Sequence, residues 1–330
     1  MAAKQKIAFC WLGACGGCDE AIVDLNEVLV EIAGKVDIVF WPIAMDFKYS
    51  NIEKLKDKEI AMSIISGSVR NSEHKEMAHL LRKKSRLVMA FGACAGRGGT
   101  PGLANFTTRR DILEWVFKDA PTVVNPNGSY PQARTVVNGN ELTLPDFFEH
   151  VYPLDQAINV DYYLPGCPPP PDLIASAINA FLAGDLPPKG ATIGPRRALC
   201  DTCPRNQRKP ARIEIKQVFR VHEIEADPDL CFLEQGIICM GPATRSGCGQ
   251  SCININIPCR GCFGPVPAVT DCGSRYLSTL ASLLKADTDE DALRIIDSIL
   301  DPPGYFYRFT QPSSILGTIQ ADQLAELTED

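Results

Sequence analysis

Five short apolar runs, at residues 7–12, 36–42, 60–66, 87–91 and 160–164, punctuate the first half of this 330-residue chain. Helix-like stretches lie among them. Ile22, Leu25, Val28, Leu29 and Ile32 recur at helical spacing before Gly34, and a charged helix is predicted over 72–84. Each apolar run reads as a buried strand. Strands alternating with helices imply a parallel sheet covered on both faces and joined by right-handed crossovers.

The simplest α/β architecture with this order is a flavodoxin-like parallel sheet, and its carboxyl edge is where open α/β folds bind ligands. Cysteines follow the strands at that edge: Cys15 and Cys18 after the first run, Cys94 after the fourth and Cys167 after the fifth. Three separate loops would thus bring four thiolates together. In Cys15-Gly16-Gly17-Cys18, two sulfurs two residues apart reach one centre from one turn, and the glycines let backbone pass close to it. Thiolates bind soft metals and iron–sulfur clusters. The loop at 92–99 is glycine-rich, but it misses the G-x-G-x-x-G register and carries Cys94 in its middle, so it reads as a turn beneath a cluster, not a nucleotide cradle. Around Cys167, the run of Pro165, Pro168, Pro169, Pro170 and Pro171 fixes φ repeatedly and suits a rigid ligand loop.

The segment 186–197, with Pro187, Pro188, Gly190, Gly194 and Pro195, is a plausible boundary. It divides the chain into a flavodoxin-like domain at 1–190 and an irregular iron–sulfur cluster-binding domain at 191–330. Nine of the 14 cysteines lie between Cys200 and Cys272, where only 211–221 shows regular periodicity. They fall as Cys200-x2-Cys203, Cys231, Cys239, Cys248-x3-Cys252 and Cys259-x2-Cys262, enough for two four-thiolate sites, with Cys272 left over. Zinc also accepts paired C-x-x-C hooks, so for this half alone a zinc ribbon stays open. Cys10, inside the first strand, and Cys272 read as buried small hydrophobes. His74, His79, His150 and His222 lie outside every cysteine motif and read as structural or surface residues. Helix periodicity returns over 276–300 and is broken at Asp301-Pro302-Pro303-Gly304; residues after Ser313 read as a peripheral tail.

A net charge of −7 argues against nucleic acid as a partner, which would need clustered Lys and Arg. No apolar window reaches about 18 residues, the length needed to span a bilayer, so no membrane insertion is expected. Residues 1–6 show no secretory signal, which gives a cytoplasmic expectation. In that compartment, 14 cysteines are poorly explained by disulfides.

Taken jointly and in order, Trp11 to Glu20 (WLGACGGCDE), Gly92-Ala93-Cys94-Ala95, Pro165-Gly166-Cys167-Pro168 and Pro258-Cys259-Arg260-Gly261-Cys262 resemble the small, electron-transferring subunit of nickel–iron hydrogenases. The resemblance implies a proximal 4Fe-4S cluster on Cys15, Cys18, Cys94 and Cys167, facing a hydrogenase large subunit that holds the nickel–iron centre. It further implies a distal cluster on Cys200, Cys203, Cys231 and Cys239, where this chain has Cys200 in place of the family's histidine. The medial cluster would use Cys248, Cys252, Cys259 and Cys262, where Cys252 replaces the family's proline, so that all three clusters are 4Fe-4S. Glu20 matches a family glutamate that tunes the proximal cluster or relays protons; a carboxylate favouring a helix start is its plain alternative. Added thiolate charge lowers cluster potential. With no export signal, the resemblance is to the cytoplasmic, methyl-viologen-reducing type associated with heterodisulfide reductase, or its deazaflavin-reducing relative, and implies a further electron-accepting iron–sulfur or flavoprotein subunit. The resemblance places no catalytic centre in this chain. The rival functions are a one-cluster quinone-reductase subunit, which usually has adjacent cysteines where this chain has Cys15 and Cys18, and a zinc-stabilised scaffold.

Overall fold

A computed structural model describes residues 4–317 and Leu327. The expectations for residues 1–3 and for the rest of the tail lie outside the described residues. Strands β1 (Gln5–Trp11), β2 (Val36–Phe40), β3 (Ile60–Ser66), β4 (Ser85–Phe91) and β5 (Tyr162–Leu164) form one parallel sheet in the order β2-β1-β3-β4-β5. This is the flavodoxin-like order, which places its ligand crevice at the carboxyl ends of the strands beside β1 and β3.

Side-chain alternation along the strands builds the two cores. Ile7, Phe9, Met62, Ile64, Met89 and Phe91 point to one face and pack with helices α1 (Gly17–Val23), α2 (Glu27–Lys35) and, further along the chain, Pro171–Ala183. Ala8, Cys10, Ile65, Val88 and Ala90 point to the other, against Met77, Ala78 and Leu81 of α3 (Ser72–Lys84). All seven residues of β3 are buried, as expected of a central strand covered on both faces. Asn71 caps α3 by accepting the His74 N–H at 2.8 Å, and Arg82, Lys83 and Lys84 close its last turn, where cations complement the helix dipole.

The single helix predicted through Ile22 to Ile32 is two, because the chain turns at residues 24–26, where Asn26 adopts φ +51°. The periodic stretch at 211–221 forms neither helix nor strand. Ile213, Ile215 and Val218 are buried in a third core, and backbone bonds from Ile215 to Leu283 and from Phe219 to Gly236 hold the segment extended. The predicted helical tail comprises Cys272–Leu283 and Asp289–Asp297, and Asp301 then caps a short helix at Pro302–Phe306 by accepting the Gly304 N–H at 3.0 Å. Two small antiparallel pairings were not anticipated: Val69–Asn71 with Phe147–Tyr152, and the exposed hairpin Arg134–Val137 with Asn140–Thr143. Among the described residues, no helix is long and apolar enough to cross a membrane.

One buried carboxylate ties the sheet together. Asp161 receives Arg82 at 2.7 Å, Lys189 at 2.7 Å and the Val88 N–H at 2.8 Å. Burial raises its carboxyl, but the bonds from Lys189 and Arg82 outweigh this and hold it below the usual range. Its stabilising contribution is therefore present above the unfolded carboxylate pKa, near 3.9, and fades as pH falls through the lower folded value. Asp161→Asn should cost about 3 kcal/mol by stranding Arg82, read as a lower melting temperature at neutral pH that converges with wild type in acid. Equal melting temperatures at pH 7 would refute this role.

Candidate metal centres

The carboxyl ends of β1, β4 and β5 each open into a cysteine-bearing turn. Gly16, in the left-handed region at φ +88°, starts α1, which puts Cys18 on its buried side and leaves Cys15 exposed in the turn before it. Helix α4 (Gly92–Arg97) follows β4 and carries Cys94, also buried. Cys167 lies in the proline loop before α5 (Pro171–Ala183).

These four thiols act on one another. Burial pushes Cys18 well up, and neighbouring Cys94 and Cys167, then Asp19 and Cys15, push it further. Cys94 is pushed up to about 12 by burial and then by Cys167 and Cys15, and burial followed by Cys15 raises Cys167. Backbone crowds the sulfurs closely. Gly92 sits at φ +84°, and a Cβ added there would lie 2.5 Å from the Cys18 sulfur.

The second half holds two further groups. Burial, then Cys239, Cys231 and Cys203, push Cys200 up to about 12, and burial raises Cys239 to about 11 despite the N–H groups of Gly241 and Cys259. A Cβ on Gly241 would stand 3.1 Å from the Cys200 sulfur and 3.6 Å from that of Cys239, so both sulfurs flank one glycine. Cys262 is pushed up to about 12 by burial, then by Cys248, Cys167 and Cys252. Burial, then Cys239 and, more weakly, Cys262, raise Cys259. Cys167, Cys248, Cys252, Cys259 and Cys262 together line a cleft of about 460 Å3 beneath the proline run.

Buried sulfurs this crowded repel one another as thiolates, and a cationic core between them removes that cost. Among the described residues, no three His, Cys, Asp or Glu side chains converge on a point that one metal ion could fill. A zinc ion would need its sulfurs about 2.3 Å from a single centre, whereas a 4Fe-4S cluster spreads four thiolates over four irons. The donor set fits the cluster.

Cys10 and Cys272 stand apart as expected. Both are buried, burial raises each to about 12, and the Cys272 thiol donates to the Ala243 carbonyl at 3.6 Å. Glu20 is exposed on α1. Its neighbour Asp19, not singled out by any sequence motif, is buried and accepts the Trp41 indole N–H at 2.9 Å and the Ser66 hydroxyl at 3.4 Å. Burial raises its carboxyl, and those two bonds offset only part of the rise. An acid beside Ala21 and Ile22 on the inward stripe of α1 was the signal available.

The family model described as NADH ubiquinone oxidoreductase, 20 Kd subunit, matches residues 15–181. The iron–sulfur subunit of the F420-non-reducing hydrogenase of Archaeoglobus profundus is 40% identical over 318 residues, covering 94% of this chain and 97% of that one. The like-named subunit of the F420-non-reducing hydrogenase of Methanothermobacter thermautotrophicus is 36% identical over 319 residues, covering 96% and 97% respectively. The delta subunit of the NAD-reducing hydrogenase HoxS of Cupriavidus necator is 28% identical over 187 residues, covering 56% of this chain and 83% of that one. With near-complete coverage of both chains and cysteine-bearing turns at the sheet edge, this chain belongs to the family of F420-non-reducing hydrogenase iron–sulfur subunits and is a subunit of a hydrogenase complex.

Proposed function

We propose that this subunit carries electrons between the nickel–iron site of a hydrogenase large subunit and a further redox subunit, using three 4Fe-4S clusters. Cys15, Cys18, Cys94 and Cys167 would hold the proximal cluster; Cys248, Cys252, Cys259 and Cys262 the medial; Cys200, Cys203, Cys231 and Cys239 the distal. Bound, each cluster supplies a one-electron carrier. The chain's own part is to space the thiolates, exclude water and keep the carriers in sequence.

The observation that carries the reading is the continuity of the three groups. Cys167 of the first acts directly on Cys262 of the second, and Cys259 of the second on Cys239 of the third. An unbroken line of sulfur sites serves conduction, and a scaffold has no use for it. At one end, the exposed Cys15 and the 42% exposed Trp11 offer a face to the large subunit. The match to the 20 Kd subunit ends at residue 181, ahead of the nine later cysteines, which favours the hydrogenase reading over a one-cluster quinone reductase. The relatives named F420-non-reducing favour an acceptor other than the deazaflavin, with an iron–sulfur or flavoprotein subunit, heterodisulfide reductase among the candidates, as the next carrier. A cytoplasmic setting and a division near residue 190 belong to the same reading.

Hydrogen supplied to the anaerobically isolated complex should bleach its brown colour and raise electron paramagnetic resonance signals of reduced clusters, which an added acceptor then removes. A colourless complex with zinc in this chain would overturn the proposal.

A further inference from the structure

A small cavity of about 20 Å3 lies where α4 meets the loops of the second half, walled by Arg97, Tyr163, Thr192, Arg245, Phe263 and Phe309. Two guanidinium groups share it. Arg245 is only 6% exposed, and its Nη1 donates to the Pro195 carbonyl at 2.9 Å. Its Nε is buried and has no hydrogen-bond acceptor among the described residues. Arg97 reaches the same seam: a Cβ on Gly264 would lie 3.2 Å from its Nε.

The charge here is lopsided. Among the described residues, neither Arg97 nor Arg245 forms an ion pair with a carboxylate. Burial, then the charges of Arg97 and Arg196, disfavour the cationic form of Arg245, and no acidic group among the described residues offsets them. Arg97 acts on Asp155, but that carboxylate is exposed and already accepts the Tyr163 hydroxyl at 2.9 Å. Guanidinium stays protonated in proteins, so the positive charge persists in a pocket walled partly by aromatic rings.

We propose that this cavity binds one small monovalent inorganic anion of halide size, held by the Nε–H of Arg245 and by the guanidinium of Arg97. Water would satisfy the donor and leave the charge uncompensated; an anion does both. The volume admits about one water-sized occupant, which excludes phosphate, sulfate and organic acids. The bound ion joins α4, three residues beyond Cys94, to the loops carrying Arg245 and Cys262, and so clips the sheet to the cysteine-rich half. This site stands whether or not the thiols hold clusters.

The test uses the isolated hydrogenase complex, exchanged into gluconate and titrated with bromide at constant ionic strength. The melting temperature should rise and saturate, as expected for a ligand that binds only the folded state. Arg245→Gln and Arg97→Gln should each weaken the bromide dependence about tenfold or more, the size of one charge-assisted hydrogen bond, whereas Arg245→Lys retains part of it. Crystals grown in bromide should show an anomalous peak within hydrogen-bond distance of Arg245 Nε. Water density there without an anomalous peak, or an unchanged bromide response in Arg97→Gln, would overturn the proposal. Arg97 holds no ion pair among the described residues, so it carries the test if Arg245→Gln does not fold.

Discussion

Replacing Cys18 with alanine should leave this subunit with about eight irons in place of about twelve, because one four-iron site loses a ligand that no neighbour can replace. Hydrogen-driven dye reduction by the complex should fall to background, since this group stands first in line from the large subunit. The Cys18 sulfur is buried among Cys94, Cys167 and Cys15, and its hydrogen-bond acceptor among the described residues is the Phe91 carbonyl, at a long 3.9 Å. That weak contact gives the thiol no competing structural role. Cys10→Ala and Cys272→Ala remove equally buried sulfurs whose surroundings, among the described residues, hold no other thiol, and both should keep the full iron content. Wild-type iron in Cys18→Ala, or iron loss in Cys272→Ala, would mean the thiols are grouped wrongly.

Gly92→Ala is expected to be the most damaging single methyl group in the chain. The new Cβ would stand 2.5 Å from the Cys18 sulfur, more than an ångström inside ordinary contact of about 3.5–4.0 Å. It would also be held at φ +84°, a conformation that costs a non-glycine residue about 1–3 kcal/mol. The Ala93 N–H is already tied to the Gly166 carbonyl at 2.6 Å, so the backbone has little room to yield. A loss of roughly 4 kcal/mol or more follows, in the range reserved for overpacked or strained sites. It should appear as a large drop in melting temperature together with iron lost from the first group. Gly34→Ala is the contrast. It lies in α2 with nothing within 4 Å of its added Cβ, and it should be neutral or stabilising by up to ~1 kcal/mol. Similar behaviour of the two variants would remove the steric argument.

Much of the sheet was legible because its signals are local. Seven buried residues at 60–66 and a charged, capped helix at 72–84 announce themselves by length and period, and the structure keeps both boundaries. The break at residues 24–26 was hidden because apolar spacing runs across it, and only the backbone of Asn26 reveals the turn. The hairpin at 134–143 was missed for the opposite reason: Val136, Val137 and Leu142 are exposed, so its apolar residues mark no core.

The candidate site divides in the same way. Cys15, Cys18, Cys94 and Cys167 could be brought together from strand order alone, which sends three loops to one sheet edge. In the second half, irregular chain brings Cys231 towards Cys200 and Cys252 towards Cys262 through contacts distant in sequence, which no local period encodes. There only resemblance to a family suggested which thiols belong together. Asp19 escaped because one acid in an apolar stripe looks, in sequence, like any helix-start carboxylate.

Metal analysis of the anaerobically purified complex, with the subunits quantified separately, tests the central claim most directly. The account predicts about twelve irons in this chain, following four per cluster, with matching acid-labile sulfide and no stoichiometric zinc. A count near four irons accompanied by bound zinc would contradict it.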